Sequence, residues 1–415
     1  MSRDRYLTAR EAAEELGINR RTLYAYVSRG LVRSEATGGK RRNRRYRAED
    51  VRRLKERKEQ RRDPARAAES ALDWGTPVME SAITLISGGR IYYRGRDAVR
   101  LSQESSLEQV AGLIWTGTMP PGERGRLPEI FRASTSRSLV PEPQRSREET
   151  EGSAWTEKFG LALHGAAAKD PAAYDLRAAA VARTGARILR LLAATAAGGG
   201  SGAEDTVART LQRSWVPGDA GAADLIDRAL VLCADHELNV SSFTARCVAS
   251  AGANPYAVAV AGLAALGGVK HGGNTERIGA FLAEAEAAGD AESAVASRLR
   301  RGETVPGFGH PLYPDGDPRA ESLLTVLAGA YPGSEARELA AKTARAAGDL
   351  MDERPNVDFA LVAIARTLEL PPSAAFALFA LGRTVGWVGH AIEQYQTDKI
   401  VRPRARYVGE HPVGL

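Results

Sequence analysis

Val-Pro-Gly-Phe-Gly-His-Pro-Leu-Tyr-Pro-Asp-Gly-Asp-Pro-Arg, residues 305–319, is the stretch around which the rest of the chain can be ordered. It cannot run through a helix interior. Pro306, Pro311, Pro314 and Pro318 lack the amide a helix needs, and Gly307, Gly309 and Gly316 add turn-forming freedom. On either side lie long runs rich in Ala, Leu, Glu and Arg, which favour helix. A rigid, irregular strip between helices that carries His310 and Arg319 suits chemistry, but its composition is also that of a plain connecting turn. Other parts of the chain decide between these.

With 415 residues, 43% of them hydrophobic, the chain has room for two or three domains and a sizeable core. Abundant Ala, 6% aromatics and few β-branched runs predict a mainly helical protein. No run of about 18 apolar residues predicts a membrane span, and the first residues hold no apolar segment of a secretory leader. A cytoplasmic protein with no membrane partner is therefore expected. The only cysteines, Cys233 and Cys247, fit reduced core residues, and no metal-binding spacing occurs. Charge is unevenly placed. Residues 1–70 hold 21 Lys and Arg against 11 Asp and Glu, giving +10 in a chain whose total is +6; the remainder is therefore −4. The basic segment is the one suited to a polyanion.

That segment opens on Thr8-Ala-Arg-Glu11, a capping box for a short helix ended by Gly17. A second helix is expected over Arg20–Ser28, then a Gly-led basic run, Gly38–Arg47, and a helix over Glu49–Arg62. Helix, short turn, helix, basic wing and helix resemble the winged helix-turn-helix of the MerR and excisionase type over about residues 5–60, in a domain expected at 1–67. The resemblance implies DNA as a possible partner. Arg44 and Arg45 of the wing would meet phosphates, and Arg20, Arg21, Tyr24 or Tyr26 would face bases. The competing reading is a solvated basic face.

Beyond a linker the pattern changes. Ser81–Tyr93 reads as two short strands joined by a Gly turn, and Ser106-Leu107-Glu108 opens a helix ending at Gly117. Ala222–Gly252 has the period of one long helix that contains Ala-Asp-His236-Glu-Leu-Asn. Asp235, His236 and Glu237 are adjacent, point different ways and cannot chelate one metal. His271-Gly-Gly lets backbone or ligand approach an imidazole closely, and residues 275–301 are helical. Pro355 then breaks a helix just before Asp358. Three histidines at breaks, one carboxylate after a Pro-Asn break and arginines in loops do not suit Ser or Cys acyl transfer, since no Gly-x-Ser-x-Gly elbow is present. They suit proton transfer beside a substrate carrying carboxylates.

Set in order, Ala-Asp-His236-Glu-Leu-Asn, His271-Gly-Gly, Gly307-Phe-Gly-His310 with Asp317-Pro-Arg319, Pro355-Asn-Val-Asp358-Phe, Gly382-Arg383 and Arg402-Pro-Arg404 resemble citrate synthase. The resemblance covers about Ala71 to the end and is weak over 122–175. It implies a two-domain helical fold over 68–415, with a large domain of about 68–271 and 366–415 and a small domain of about 272–365. It also implies a homodimer with the site in the cleft between domains. Asp358 would deprotonate acetyl-CoA, His271 would stabilise the enol or enolate, and His310 would protonate the oxaloacetate carbonyl. His236, Arg319 and Arg383 would bind oxaloacetate, with Arg402 reaching it from the partner subunit. No metal or redox cofactor is implied, acetyl-CoA being a substrate.

The chain departs from that pattern in three places. Lys270 precedes His271, where its charge would disfavour a second one. Asn274 stands one position early. Residues 311–316 lack the basic residues many relatives carry, some of which touch CoA. Three functions compete: citrate synthase with a DNA-binding head, a 2-methylcitrate synthase using propionyl-CoA, and a metabolite-sensing transcriptional regulator on the same fold.

Overall fold

Two units make up the computed structural model, residues 1–80 and 81–415. The structure describes residues 6–28, 31–36, 44–48, 50, 51, 54, 79–132, 154–199, 202, 204–371, 373–405 and 407–410. The expected linker, and most of the expected helix over 49–62, lie outside them.

In the first unit Thr8 forms the predicted capping box with Glu11, and Gly17 closes α1 (Ala9–Leu16) in the left-handed conformation. Such a cap is worth about 1 kcal/mol. Next come α2 (Arg20–Ser28) and three antiparallel strands in the order β1 (Tyr6–Thr8), β3 (Arg44–Arg47), β2 (Ser34–Ala36). In the expected wing β2 pairs with β3, and the strand that leads into α1 completes the sheet. A small core of Ala12, Ala13, Leu16, Leu23, Val32, Tyr46 and Val51 holds the unit together. Asp50 anchors it from outside, accepting from the Arg33 amide at 2.8 Å and from its guanidinium at 2.9 Å.

The second unit starts with a small sheet, β4 (Thr84–Ser87), β5 (Arg90–Tyr93) and β6 (Arg96–Asp97), as the Gly turn predicts. Helices follow: α3 (Ala98–Glu104), α4 (Leu107–Thr116), α5 (Glu129–Arg132), α6 (Trp155–Ala167), α7 (Ala178–Ala196), α8 (Val207–Trp215), α9 (Ala222–Leu232), α10 (Val240–Ser250), α11 (Pro255–Leu266), α12 (Asn274–Ala288), α13 (Ala291–Arg300), α14 (Pro318–Ala330), α15 (Glu335–Met351), α16 (Val357–Thr367) and α17 (Ala374–Thr397). The helical stretch expected over 275–301 is two helices, because Gly289 turns left-handed after α12.

Helix α17 is the hub. It packs against α4, α7, α9, α10, α11 and α16. Its composition explains why so many neighbours fit. A Cβ on Gly382 would stand 2.6 Å from the Leu230 carbonyl oxygen, and one on Gly386 would stand 2.3 Å from Asp235 Oδ1. Only glycine lets α9 and the turn after it come this close. Helix α17 is also long and apolar enough to cross a membrane, but its apolar window is wholly buried inside the protein, as expected for a core helix.

Candidate active site

The predicted single helix over 222–252 is in fact two. Helix α9 stops at Leu232, α10 begins at Val240, and His236 lies in the turn between them. Tertiary bonds override the helical period. Glu237 takes the left-handed conformation with φ +52, at a cost of about 1 kcal/mol or more. Its carboxylate accepts from the Ile86 amide at 3.2 Å. Asp235 accepts from the Thr84 hydroxyl at 2.6 Å and lies 3.2 Å from His390 Nε2, both members of that pair being fully buried. With both neighbours fastened outward, His236 turns inward, its Nε2 3.0 Å from the Tyr313 hydroxyl.

The irregular strip of 305–319 is fixed along its length. Phe308 forms an isolated antiparallel bridge with Pro355. The Gly309 amide donates to the Arg354 carbonyl at 2.9 Å, and the Asn356 amide to that of Gly307 at 2.9 Å. Gly307 and Gly309 have φ +93 and +72, so the strip requires them. Past His310, the Asp317 carboxylate accepts from the Arg319 amide, Nε and Nη2 at 3.0, 2.9 and 2.8 Å. It also accepts from the Val357 amide at 3.0 Å. One buried carboxylate thus sets both Arg319 and the start of α16, one residue before Asp358. Burial works against ionising Asp317, but the Arg319 charge and hydrogen bonds hold it below the usual carboxylate range.

His271 lies between α11 and α12. The two glycines after it serve backbone packing: a Cβ on Gly273 would meet the Gly267 carbonyl oxygen at 2.7 Å. His271 Nε2 is 2.9 Å from the Ser241 hydroxyl, which is also 2.8 Å from Asn239 Oδ1. Ser241 has one proton to give: while it goes to Asn239 Oδ1, His271 Nε2 is the ring's donor to the hydroxyl oxygen, and when it turns to the imidazole, Nδ1 carries the ring proton. In His310 the tautomer is set by backbone: the Leu312 amide donates to Nδ1 at 3.1 Å, so a neutral His310 bears its proton on Nε2.

Electrostatics sort the groups into roles. Burial lowers His271 to about 3, with the Arg383 charge adding to it. Burial and the Arg319 charge take His310 to about 4. His236 is pushed well below the usual range by burial, then by Arg319 and Arg383. All three are neutral imidazoles at neutral pH, able to donate a hydrogen bond to a developing oxyanion. For His271 the cause is burial and Arg383, and exposed Lys270 plays no part in it, which corrects the sequence expectation. Asp358 moves the other way: burial raises it to about 6, partly offset by the Asn274 amide 3.4 Å away. The early asparagine therefore still reaches the carboxylate.

Arg383 supplies the second buried cation. Its Nε donates to the Cys233 carbonyl at 2.9 Å, and its side chain stands over the Phe379 ring. Its Nη1 is buried with no partner among the described residues. An unsatisfied buried guanidinium nitrogen is costly and invites an anion. With Arg319 it provides the paired cations that a dicarboxylate needs.

The structure thus brings His236, His310, Tyr313 and Arg319 together, with ring centres of 5.1 Å between the two histidines and 4.9 Å between His310 and Tyr313. Arg383 acts electrostatically on His236 and His271, and Arg319 on Asp358. Arg402 is exposed, on the tail after α17. Sequence reading missed Tyr313 and Ser241 as site residues. Tyr313 lies within the quoted strip, three residues after His310, so its position was a signal; Ser241 carried none. In the first unit Tyr24, Arg44 and Arg45 are exposed, whereas Tyr26 is half-buried against the small core. The side chains of Arg20 and Arg21 lie outside the described residues. Among the described residues no cluster of His, Cys, Asp and Glu could hold a metal ion.

Comparison with known proteins agrees with this geometry. Residues 71–404 match the family model "citrate synthase, C-terminal domain", and residues 6–59 match "helix-turn-helix domain". A Mycobacterium tuberculosis protein provisionally named citrate synthase 2 is 38% identical over 212 residues, covering 49% of this chain and 56% of that protein. The chain thus spans about half the length of such curated relatives. The citrate synthase of Haloferax volcanii is 29% identical over 359 residues, covering 81% of this chain and 94% of that protein. A Thermoplasma acidophilum citrate synthase, solved with carboxymethyl coenzyme A and oxaloacetate, shares the fold at 22% identity and a TM-score of 0.69, covering 82% of this chain and 96% of its own. By its family match over 71–404 and by its fold, the chain belongs to the citrate synthase family, with a helix-turn-helix domain joined ahead of it.

Proposed function

We propose that this chain condenses acetyl-CoA with oxaloacetate to give citrate and CoA. The observation that carries this reading is the opposite displacement of Asp358 and of the histidines. Asp358, with its pKa raised to about 6, is ionised at neutral pH yet basic enough to accept a proton. It would take that proton from the thioester methyl group. Neutral His271 would donate to the enol oxygen, so that a full enolate charge need not build up. The new carbon–carbon bond forms at the oxaloacetate carbonyl, whose oxygen takes its proton from His310 Nε2. Arg319 and Arg383, with His236, would hold the two carboxylates. Water then cleaves the citryl thioester.

No metal or redox cofactor takes part in this reading. The protein would work in the cytoplasm as a homodimer, with Arg402 completing the partner's site. Residues 272–365 would act as the small domain that brings His310, Arg319 and Asp358 onto His236, His271 and Arg383. A 2-methylcitrate synthase using propionyl-CoA shares every step. One extra methylene is worth only about 1–3 kcal/mol, so measured rates separate the two. The test is release of free CoA thiol from acetyl-, propionyl- and butyryl-CoA with oxaloacetate. Acetyl-CoA is expected to react fastest, and His310→Ala to lose about 100-fold or more.

A second reading is favoured by the exposed Tyr24, Arg44 and Arg45 in a domain of the helix-turn-helix family. Here the basic head binds DNA and the synthase unit sets its occupancy. Fluorescence anisotropy on upstream DNA at two salt concentrations tests it. Binding that weakens with salt and shifts with oxaloacetate or acyl-CoA is expected, and binding indifferent to both contradicts it.

A further inference from the structure

The strip between His310 and Asp317 is poor in positive charge: Asp315 is its one ionised residue. A CoA thioester carries a pyrophosphate and a further phosphate, so a site for it needs a cation from elsewhere in the fold. Arg354 is placed to provide one. It lies in the segment paired with 307–309, its own carbonyl accepting from the Gly309 amide beside His310 at 2.9 Å. From there its side chain runs across the far end of the strip, where Gly316 adopts φ +118. A Cβ on Gly316 would stand 2.7 Å from Arg354 Cδ and 3.7 Å from its Nε. Glycine at 316 therefore leaves the space that the arginine stem occupies.

The arginine is exposed, and among the described residues its guanidinium forms no ion pair or hydrogen bond, although the exposed carboxylates of Asp315 and Glu353 are close in sequence. A cation steered over the strip, left unpaired beside two acids, is free to meet an incoming anion.

We infer that Arg354 is a phosphate-binding residue for the CoA moiety, taking the place of basic residues within 311–316. This rests on the proposed use of a CoA thioester. It is a binding role: Arg354 touches neither the thioester nor the keto acid.

The test is titration calorimetry of CoA, with oxaloacetate present, on the full chain and on R354A, R354K and K342A. Lys342 is an exposed lysine of α15 paired with Glu338 and serves as the control for general loss of charge. The variant R354A should bind CoA roughly 10-fold more weakly, as expected for a lost charge-assisted hydrogen bond. R354K should fall between it and the unaltered chain, and K342A should change little. Raising the salt concentration should weaken the unaltered chain more than R354A. Equal CoA affinity in R354A and the unaltered chain overturns the assignment of Arg354 alone. Failure of the unaltered chain to bind CoA overturns the thioester reading and the assignment with it. Should R354A melt early, R354K, which keeps stem and charge, decides by its loss or retention of affinity.

Discussion

Asp358 and Tyr313 show what single residues can be asked to do. Burial raises Asp358 to about 6, so it protonates as pH falls through that value and ceases to be a base. The pH profile of kcat/KM is therefore expected to rise through about pH 6, and Asp358→Asn to remove that limb together with most of the activity. The same shift has a stability sign. A carboxyl with a raised folded pKa favours the folded state at low pH and costs stability once both states are ionised. Asp358→Asn should thus raise stability by about 3 kcal/mol at pH 7 while destroying function, a trade that thermal melts of the two proteins would reveal. Tyr313 is a positioning residue, holding His236 Nε2 at 3.0 Å. Tyr313→Phe should raise the KM for oxaloacetate roughly 10-fold with a smaller effect on kcat. An equal fall in kcat alone would argue against that role. The residues that bear charge or a ring nitrogen were legible in the sequence, because a His, Asp or Arg beside Gly or Pro stands out by type. Ser241 was not, because a serine among small helical residues becomes a partner of His271 only when α10 is folded against the turn after α11.

Elements tell a similar story at longer range. The Thr8 capping box, the Gly17 stop, the Gly turn of β4–β5 and the break before α16 were each readable from local chemistry, and each is present. The break between α9 and α10 was not. Ala-Asp-His-Glu-Leu is compatible with helix, and what interrupts it is distant in sequence. The Tyr93 hydroxyl lies 3.3 Å from the Leu232 and Asp235 carbonyls, Ile86 binds Glu237, and Thr84 binds Asp235. A reading confined to one element cannot see β4 and β5 reaching across to unwind it. Asp317 carries the matching prediction for the strip. Its carboxylate is the counter-ion of buried Arg319 and the acceptor for the first amide of α16. Asp317→Ala leaves a buried guanidinium unpaired and should cost about 3–5 kcal/mol, seen as a lowered midpoint in urea. A change under about 1 kcal/mol would mean that Arg319 finds water instead.

For the whole molecule, the family and the mainly helical fold followed from ordered motifs spread from Ala234 to Arg404, each weak and jointly specific. What one chain leaves to experiment is the completion of its site by another. Arg402 is exposed, whereas Arg319 and Arg383 are buried. If it serves a partner's site, R402A and H310A should each be nearly inactive alone, and mixed dimers of the two should regain part of the activity, since one of their two sites is then intact. No recovery on mixing would place Arg402 outside catalysis. The most direct test of the central claim, that Asp358 removes a methyl proton so that a carbon–carbon bond can form, is the fate of acetyl-CoA labelled with three deuterons. Incubated with oxaloacetate and the protein, it should yield free CoA and citrate that retains two of the three, read by mass spectrometry, with none formed by Asp358→Asn. Release of CoA with acetate that keeps all three deuterons, and no citrate, would contradict it.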